Sequence, residues 1–253
     1  MVALVTLVNE LDTLLKPGAY SDYAPNGLQV EGRAEVRRLV TGVTASLELL
    51  EAAVAAQADA VLVHHGYFWK GESPCITGIK RRRLQTLLQH DISLLAYHLP
   101  LDDHHELGNN RQLARQLGLI IDGQVAVTGA GVALWHGRLP QPLAPQQCAD
   151  WIAQRLGRTP QLLAAPSRPQ VSTLAWCSGA AQQLIDDAAR LGVDAYISGE
   201  VSEQTWHSAR EGGINYFAAG HHATERYGVM ALGTHLAGQF AIEHRFIDIE
   251  NPL

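Results

Sequence analysis

Histidines and carboxylates occur together after three apolar stretches of this sequence. The three groups are His64 and His65, His98 and Asp102, and His221, His222 and Glu225. Neutral imidazole nitrogens and carboxylate oxygens are ligands that zinc, manganese, iron and nickel accept in exchangeable protein sites. A metal ion held by such ligands can activate water and stabilise an oxyanion. These residue types therefore predict a metal site.

The adjacent pair His64 and His65 bears on the number of ions. Successive side chains of an extended strand point to opposite faces, so we expect these two histidines to serve different ions. If residues 223–225 begin a helix, His221 and Glu225 lie at positions i and i+4 on one helix face. We therefore predict two ions with a bridging carboxylate, a pair that can generate hydroxide at neutral pH.

The first histidine pair lies in a strand–helix–strand pattern. The apolar spacing predicts a strand over residues 38–43, a helix over 46–58 and a strand over 59–63. Such a βαβ unit implies a parallel sheet that is covered on both faces. Ligands bind these sheets beyond the carboxyl ends of the strands, where several loops meet. We therefore expect the metal-binding side chains at that edge of the sheet.

The same pattern returns later in the chain. A strand at 174–177, a helix at 181–191 and a strand at 194–198 align with the first copy without gaps. In this alignment Leu39 falls on Leu174 and Asp59 on Asp194. A second pair of segments, 92–103 and 214–225, also matches. Two matches in the same order indicate a duplication.

The predicted fold class is therefore α/β, with duplicated βαβ halves and mixed or parallel sheets. Residues 1–125 are the first half, which carries His64, His65 and Asp102, and residues 126–210 are its duplicate. Residues 211–253 form a C-terminal segment that returns His221 and Glu225 to the metal site. The proline-containing stretch 122–170, with a strand at 132–139 and a helix at 145–156, is interpreted as a linker and the opening of the second half.

The composition limits the classes of partner. The chain has 253 residues, 47% of them hydrophobic, and a formal net charge of −6. A mildly acidic surface argues against nucleic acid as the main partner, because phosphate backbones recruit an excess of lysine and arginine. The basic run at 80–83 is interpreted as a solvated helix end. We expect a small-molecule substrate.

The sequence also bears on location. No apolar run approaches the roughly 20 residues that span a bilayer, so we expect no membrane association. Residues 1–15 have helical spacing and no positively charged start, which predicts a folded helix and not a signal peptide. Cys75, Cys148 and Cys177 are odd in number and widely spaced, which favours a reducing cytoplasm.

The sequence resembles the NIF3-like family, also described as GTP cyclohydrolase 1 type 2 homologues. The resemblance covers essentially the whole chain, and the short bacterial subtype fits best. The segments that carry it are SDYAPNGLQVEG (21–32), VTGVTAS (40–46), VHHGYFWKGESP (63–74), YHLPLDDHHELGNN (97–110), SGEVSEQTWHSARE (198–211) and AAGHHATERYG (218–228).

The resemblance implies a duplicated α/β fold and a toroidal homohexamer whose dinuclear metal sites face the interior. The ligands that it implies are His64, His65, Asp102, His221 and Glu225. Glu225 would be the bridge. His98 lies close by in the sequence, either as a ligand or as a group that orients one. The ions would be two per subunit, of zinc, iron, manganese or nickel.

Two functions are compatible with this site. The first is a cyclohydrolase-like hydrolase that acts on a small nucleotide- or phosphate-like substrate through metal-bound hydroxide. The second is a metal-storage or regulatory protein without turnover. A mixed histidine and carboxylate set with open positions favours the enzyme, because a storage site is expected to close its coordination shell. Candidates for proton transfer or substrate orientation are His98, Glu200 and His207. For Glu200 and His207, helix capping and a surface location are equal alternatives.

Overall fold

In the computed structural model the chain folds as two units, each built on one mixed β-sheet. The structure describes residues 1–127, 129 and 131–253. The first unit comprises Met1–Gly108 and Gly228–Glu250, and the second comprises Asn109–Tyr227 and Asn251–Leu253. The three segments inferred from the sequence, 1–125, 126–210 and 211–253, remain a proposal for how the duplication is laid out along the chain.

The helices and strands follow one another in this order. Up to Gly108 they are β1 (Val2–Ala3), α1 (Leu4–Leu15), a 3-10 helix (Pro17–Ala19), β2 (Gly27–Val30), β3 (Glu35–Val36), β4 (Arg38–Thr44), α2 (Leu47–Ala55), β5 (Ala60–His65), α3 (Gly78–Gln89), β6 (Ser93–Ala96) and α4 (Leu99–Asp103). From Asn109 they are α5 (Asn109–Leu117), β7 (Ile120–Ala126), β8 (Ala133–Leu143), α6 (Pro145–Leu156), β9 (Gln161–Leu163), β10 (Val171–Trp176), a 3-10 helix (Gln182–Leu184), α7 (Ile185–Arg190), β11 (Ala195–Ser198), α8 (Glu203–Gly212), β12 (Asn215–Ala218), α9 (His221–Phe240) and β13 (Glu243–Phe246).

The sheet of the first unit has the strand order β13-β4-β5-β6-β2. The first four strands are parallel and β2 is antiparallel to β6. Successive residues of a strand point to opposite sides of the sheet, and helices cover both sides of this one. Leu62 of β5 lies in one hydrophobic cluster with residues of α1 and α9, whereas Val61 and Val63 lie in another with residues of α2 and α3.

The sheet of the second unit has the order β7-β8-β10-β11-β12-β9. Strands β10, β11 and β12 are parallel, and β8 and β9 run antiparallel to their neighbours. Trp176 and Ile197 pack on one face with residues of α5 and α6, while Tyr196 and Tyr216 pack on the other with residues of α7 and α8.

The two sheets share one design. In each, three parallel strands in chain order are followed by an antiparallel edge strand, β2 beside β6 and β9 beside β12. The predicted α/β class and the duplicated halves with mixed sheets are confirmed. The continuous apolar runs that predicted β5, β6, β11 and β12 are the central, doubly covered strands.

Two local predictions were wrong. The strand and the helix predicted within 122–170 are present as β8 and α6, but the linker interpretation was wrong, since β8, α6 and β9 belong to the second unit and both strands to its sheet. Pro140 and Pro142 lie in β8 beyond Arg138, where its pairing with β7 ends, so their missing N–H groups are tolerated. The helix predicted over 181–191 is broken into Gln182–Leu184 and Ile185–Arg190.

Within the described part of the chain, no helix combines the length and the apolar character that crossing a membrane requires.

Candidate functional site

His64 lies near the carboxyl end of β5 and is fully buried. Its Nδ1 lies 3.0 Å from the backbone oxygen of Tyr97. A carbonyl oxygen can only accept, so Nδ1 carries the proton and Nε2 carries the lone pair. That Nε2 atom lies 3.5 Å from Oδ1 of Asp102, which is itself buried. The fold thus places the Nε2 lone pair of His64 beside the carboxylate of Asp102.

His65, the last residue of β5, lies against His64. Their ring centroids are 4.4 Å apart, and Nδ1 of His65 is 3.1 Å from the hydroxyl of Thr44. The expectation that these rings diverge was wrong. Side chains of a strand lean along its direction as well as away from the sheet, and at the strand end both rings lean together. The argument for two ions from strand alternation therefore does not hold.

His98 follows β6 and completes a cluster of three imidazoles. One nitrogen each of His64, His65 and His98 lies within 4.8 Å of the others. Nδ1 of His98 is 2.8 Å from Oδ1 of Asp22, a carboxylate that the sequence analysis did not single out. The strands β5 and β6 are parallel neighbours, so their carboxyl ends bring these loops to one edge of the sheet, as expected.

Asp22 and Asn26 hold the start of α4. Oδ2 of Asp22 accepts from Leu99 N at 3.0 Å, and Oδ1 of Asn26 accepts from His98 N at 2.6 Å. Burial alone would raise the pKa of Asp22, but the hydrogen bonds from His98, Asn26 and Leu99, with the charge of His98, hold it well below its usual value. The ionised carboxylate of Asp22 therefore fixes the start of α4, the helix that carries Asp102.

In the second unit, His221 is the first residue of α9 and faces Glu225 one turn later. The expected i, i+4 relation is present, with Nε2 of His221 3.1 Å from Oε2 of Glu225. Nδ1 of His221 lies 2.7 Å from Oε1 of Glu200. Burial would lower the pKa of His221, but the hydrogen bonds and charges of Glu225 and Glu200 outweigh it and raise the pKa to about 9.

The turn after β10 approaches Glu225 closely. Gly179 has a φ of +66°, and a Cβ added there would collide with Oε1 of Glu225. Its N–H donates to Oγ1 of Thr224 at 3.0 Å. The side chain of Glu225 thus occupies the space that a side chain at position 179 would need. Gly179 was not singled out from the sequence, although the Ser-Gly pair after a predicted strand is a turn signal.

The sequence matches the family model described as Duf34/NIF3 (NGG1p interacting factor 3) over residues 2–252. The chain belongs to the NIF3 family. A relative from Pseudomonas aeruginosa, named GTP cyclohydrolase 1 type 2 homolog, is 59% identical over 99% of both chains. Two solved structures cover 100% of this chain and of their own: protein ybgI, described as of unknown function, at 52% identity and TM-score 0.95, and a Thermus thermophilus protein at 36% and 0.90.

The other candidates of this NIF3-family chain are placed differently. Glu200 contacts His221, so it is not a helix cap. Ser202 is the N-cap of α8 and contacts Thr205. His207 lies on the exposed side of α8, with 61% of its side chain accessible, and pairs with Glu203. His222 is buried, and its backbone N–H donates to Leu253 O at 3.2 Å.

The donor chemistry of the histidines in each unit suits divalent metal ions. In His64, His98 and His221, Nδ1 is held by a backbone carbonyl or a carboxylate, which leaves Nε2 as the atom that could bind a metal. Histidines that bind metals show this arrangement, because the partner fixes the tautomer and raises ligand basicity. In His221 the metal would replace the proton that the raised pKa places on Nε2. The carboxylates that raise the pKa of His221 would equally stabilise a metal cation at its Nε2. The residues therefore fit the ions that the family implies.

Proposed function

We propose that this protein is a metal-dependent hydrolase that acts on a small nucleotide- or phosphate-like molecule. One observation carries the proposal: three imidazoles gather at the carboxyl ends of neighbouring strands, with their ligand atoms within 4.8 Å of one another. The buried carboxylate of Asp102 adds an oxygen donor 3.5 Å from His64. The name of the Pseudomonas relative, GTP cyclohydrolase 1 type 2 homolog, supports a nucleotide as substrate.

The proposal assigns five ligands to two divalent ions. They are His64, His65, Asp102, His221 and Glu225, with Glu225 as the bridge. Contacts within each unit support the identity of the ligands, whereas the number of ions rests on the family resemblance. Imidazole and carboxylate donors accept zinc, iron, manganese or nickel.

The residues of the chain would act around these ions. When bound, a divalent ion lowers the pKa of water towards neutrality and stabilises developing negative charge. Asp22 holds the proton of His98 on Nδ1, so Nε2 of His98 is the atom that could accept a proton from water or contact the substrate. Glu200 holds the proton of His221 on Nδ1 and thereby orients its Nε2.

The alternative is a protein that stores or senses metal without turnover. The complete burial of His64 would suit a slowly exchanging ion. The enzyme is favoured because the site also has an accessible side, where His65 is half-buried and Tyr23 is exposed. A substrate needs such an opening, whereas a storage site is expected to close its coordination shell.

The proposal extends to assembly and location. The family resemblance supports a toroidal homohexamer, and the widely spaced cysteines favour the cytoplasm. Nucleic acid is not included, because the net charge is −6.

A hydrolysis screen tests the function. The protein is loaded separately with zinc, manganese, iron and nickel and assayed on GTP, cyclic phosphodiesters and cyclic amides. We expect turnover with at least one metal, lost after chelation and in His64→Asn. His90→Asn, a change of an exposed histidine at the end of α3, should keep it. Metal-loaded protein without turnover on any of these substrates would favour storage.

A further inference from the structure

An aromatic wall stands beside the histidine cluster of the first unit. It consists of Tyr23 and Trp69, whose ring centroids are 5.5 Å apart with an interplanar angle of 35°. Both rings meet His98 nearly edge-on, at 5.0 Å for Tyr23 and 5.2 Å for Trp69. Trp69 is also 6.0 Å from the ring of His65. The aromatic wall therefore adjoins the imidazoles that are proposed to act on the substrate.

Hydrogen bonds to and from the backbone hold the aromatic wall in place. The loop after β5 and the loop that contains Tyr23 are joined by a bond from Lys70 N to Tyr23 O of 2.7 Å. The indole N–H of Trp69 donates to Gly66 O at 3.2 Å, and Trp69 N donates to Oε2 of Glu72 at 3.2 Å. The two rings are thus positioned by the same loops that carry the polar groups of the site.

The aromatic wall is partly open to solvent. Tyr23 is 55% exposed and Trp69 is half-buried, and neither is a member of the buried clusters that form the cores of the sheets. A partly accessible aromatic pair beside a cluster of imidazoles resembles the surfaces on which nucleobases stack. Every base has a π-face, and face contact with an aromatic side chain is worth about 1–3 kcal/mol per base.

We propose that Tyr23 and Trp69 form a stacking platform for the planar heterocyclic ring of the substrate, such as a purine base. The ring would lie on the exposed side of the aromatic wall, and its phosphate or reacting group would reach the histidine cluster. Tyr23 and Trp69 are then specificity-determining residues and take no part in proton transfer. This inference rests on the proposed function, because it names the part of the substrate that the hydrolase recognises.

Calorimetric titration of metal-loaded protein separates the ring from the phosphates. The probes are GTP and inorganic triphosphate, which share the phosphate chain and differ in the nucleoside. We expect the wild-type protein to bind GTP more tightly than triphosphate. Tyr23→Ala and Trp69→Ala should each weaken GTP binding roughly 5- to 150-fold, the range that corresponds to the stacking energy. Binding of triphosphate should not change.

Matched variants control for folding. Trp206 is 46% exposed on α8, so Trp206→Ala removes an accessible indole far along the chain from the aromatic wall and should leave both affinities unchanged. Tyr23→Phe and Trp69→Phe keep an aromatic face and should retain most of the GTP affinity, including when the alanine variants fold poorly. Elemental analysis should show the same metal content in every variant.

The outcomes are distinct from those of the hydrolysis screen. Alanine variants that keep the wild-type affinity for GTP, equal losses for GTP and triphosphate, or a wild-type protein that binds no GTP at millimolar concentration would each overturn the platform. A preference for GTP that depends on both rings, in a protein without turnover, would support the platform and reject the hydrolase. Turnover of GTP that is unchanged in both alanine variants would do the reverse, because it would support the hydrolase and reject the platform.

Discussion

Asp194 occupies in the second unit the position that Asp59 occupies in the first. Each aspartate accepts from an arginine 26 residues earlier, at 2.9 Å in both units. Each also accepts from two consecutive backbone N–H groups where the first parallel strand begins, at 2.8 and 2.9 Å for Asp59 and at 3.0 Å twice for Asp194. The duplication thus preserves a hydrogen-bond arrangement and not only a pattern of apolar residues.

This arrangement should stabilise the second unit in a pH-dependent way. Burial raises the pKa of Asp194, but the hydrogen bonds from Thr173 and Ser172 outweigh it and lower the pKa. A lowered pKa in the folded state contributes stability above the unfolded pKa of about 3.9, and this stability is lost as the pH falls through the folded value. We expect Asp194→Ala to cost about 1–3 kcal/mol at pH 7.

Thermal unfolding at pH 7 and near pH 3 measures the effect. The difference between Asp194→Ala and the wild type should narrow at the lower pH. Asp150→Ala removes a carboxylate from an exposed position of α6, where it accepts a hydrogen bond from Gln146 one turn earlier, and should change little at either pH. A difference that stays constant between the two pH values would contradict the role given to the ionised carboxylate.

The proposed metal ligands predict unequal effects of two carboxylate changes. As a bridge, Glu225 would supply one oxygen to each ion, so Glu225→Gln should loosen both. Asp102→Asn should mainly weaken one, because Asp102 lies 3.5 Å from Nε2 of His64 and is proposed to bind the same ion as that histidine. Elemental analysis after dialysis should give two ions per chain in the wild type. A Glu225→Gln protein that keeps two tightly held ions would remove Glu225 from the bridge.

Asp22 is not a proposed metal ligand, but it contacts His98 and the start of α4. Asp22→Asn should remove the charge that orients His98 and should lower metal affinity or activity about 10- to 100-fold, as loss of partners of metal-binding histidines does. Metal titration and the hydrolysis assay measure both quantities. Asn26→Ala removes the hydrogen bonds of Asn26 with Asp22 and with His98 N but keeps the carboxylate of Asp22, and it should cost less. Equal losses would assign the effect to loop structure.

Assembly provides an independent test of the family resemblance. If the toroidal homohexamer holds, light scattering at micromolar concentration should report six chains, with and without metal. A monomer under these conditions would reject the assembly but would leave the contacts within each unit unaffected.

The sequence predicted the strands better than the contacts at their ends. Continuous apolar runs identify β5 and β6 because those strands are covered on both faces, and ligand type identifies the histidines that follow. The pair formed by Asp22 and His98 could not be predicted, since 76 residues separate its members and only the fold joins them. The rings of His64 and His65 converge because both side chains lean along the strand direction at the end of β5. The alternation of side chains between the two faces of a strand does not predict this.

Gly179 gives a test of the site that changes no metal ligand. A methyl group at Gly179 would collide with Glu225, whereas a methyl group at Gly192 would meet nothing within 4 Å. Both glycines have left-handed φ values, +66° and +75°, so alanine imposes a similar backbone strain of about 1 kcal/mol at either position.

The comparison of Gly179→Ala with Gly192→Ala therefore isolates the contacts with Glu225 and with His221, whose Nε2 would lie 3.3 Å from the added methyl group. We expect similar small losses of thermal stability from the shared strain, with an additional loss in Gly179→Ala. Only Gly179→Ala should also weaken metal binding, because the displaced carboxylate of Glu225 can no longer meet His221 at 3.1 Å. Metal titration of both variants under identical conditions measures this. Equal metal affinity in the two proteins would mean that Glu225 either moves without consequence or does not bind the ions.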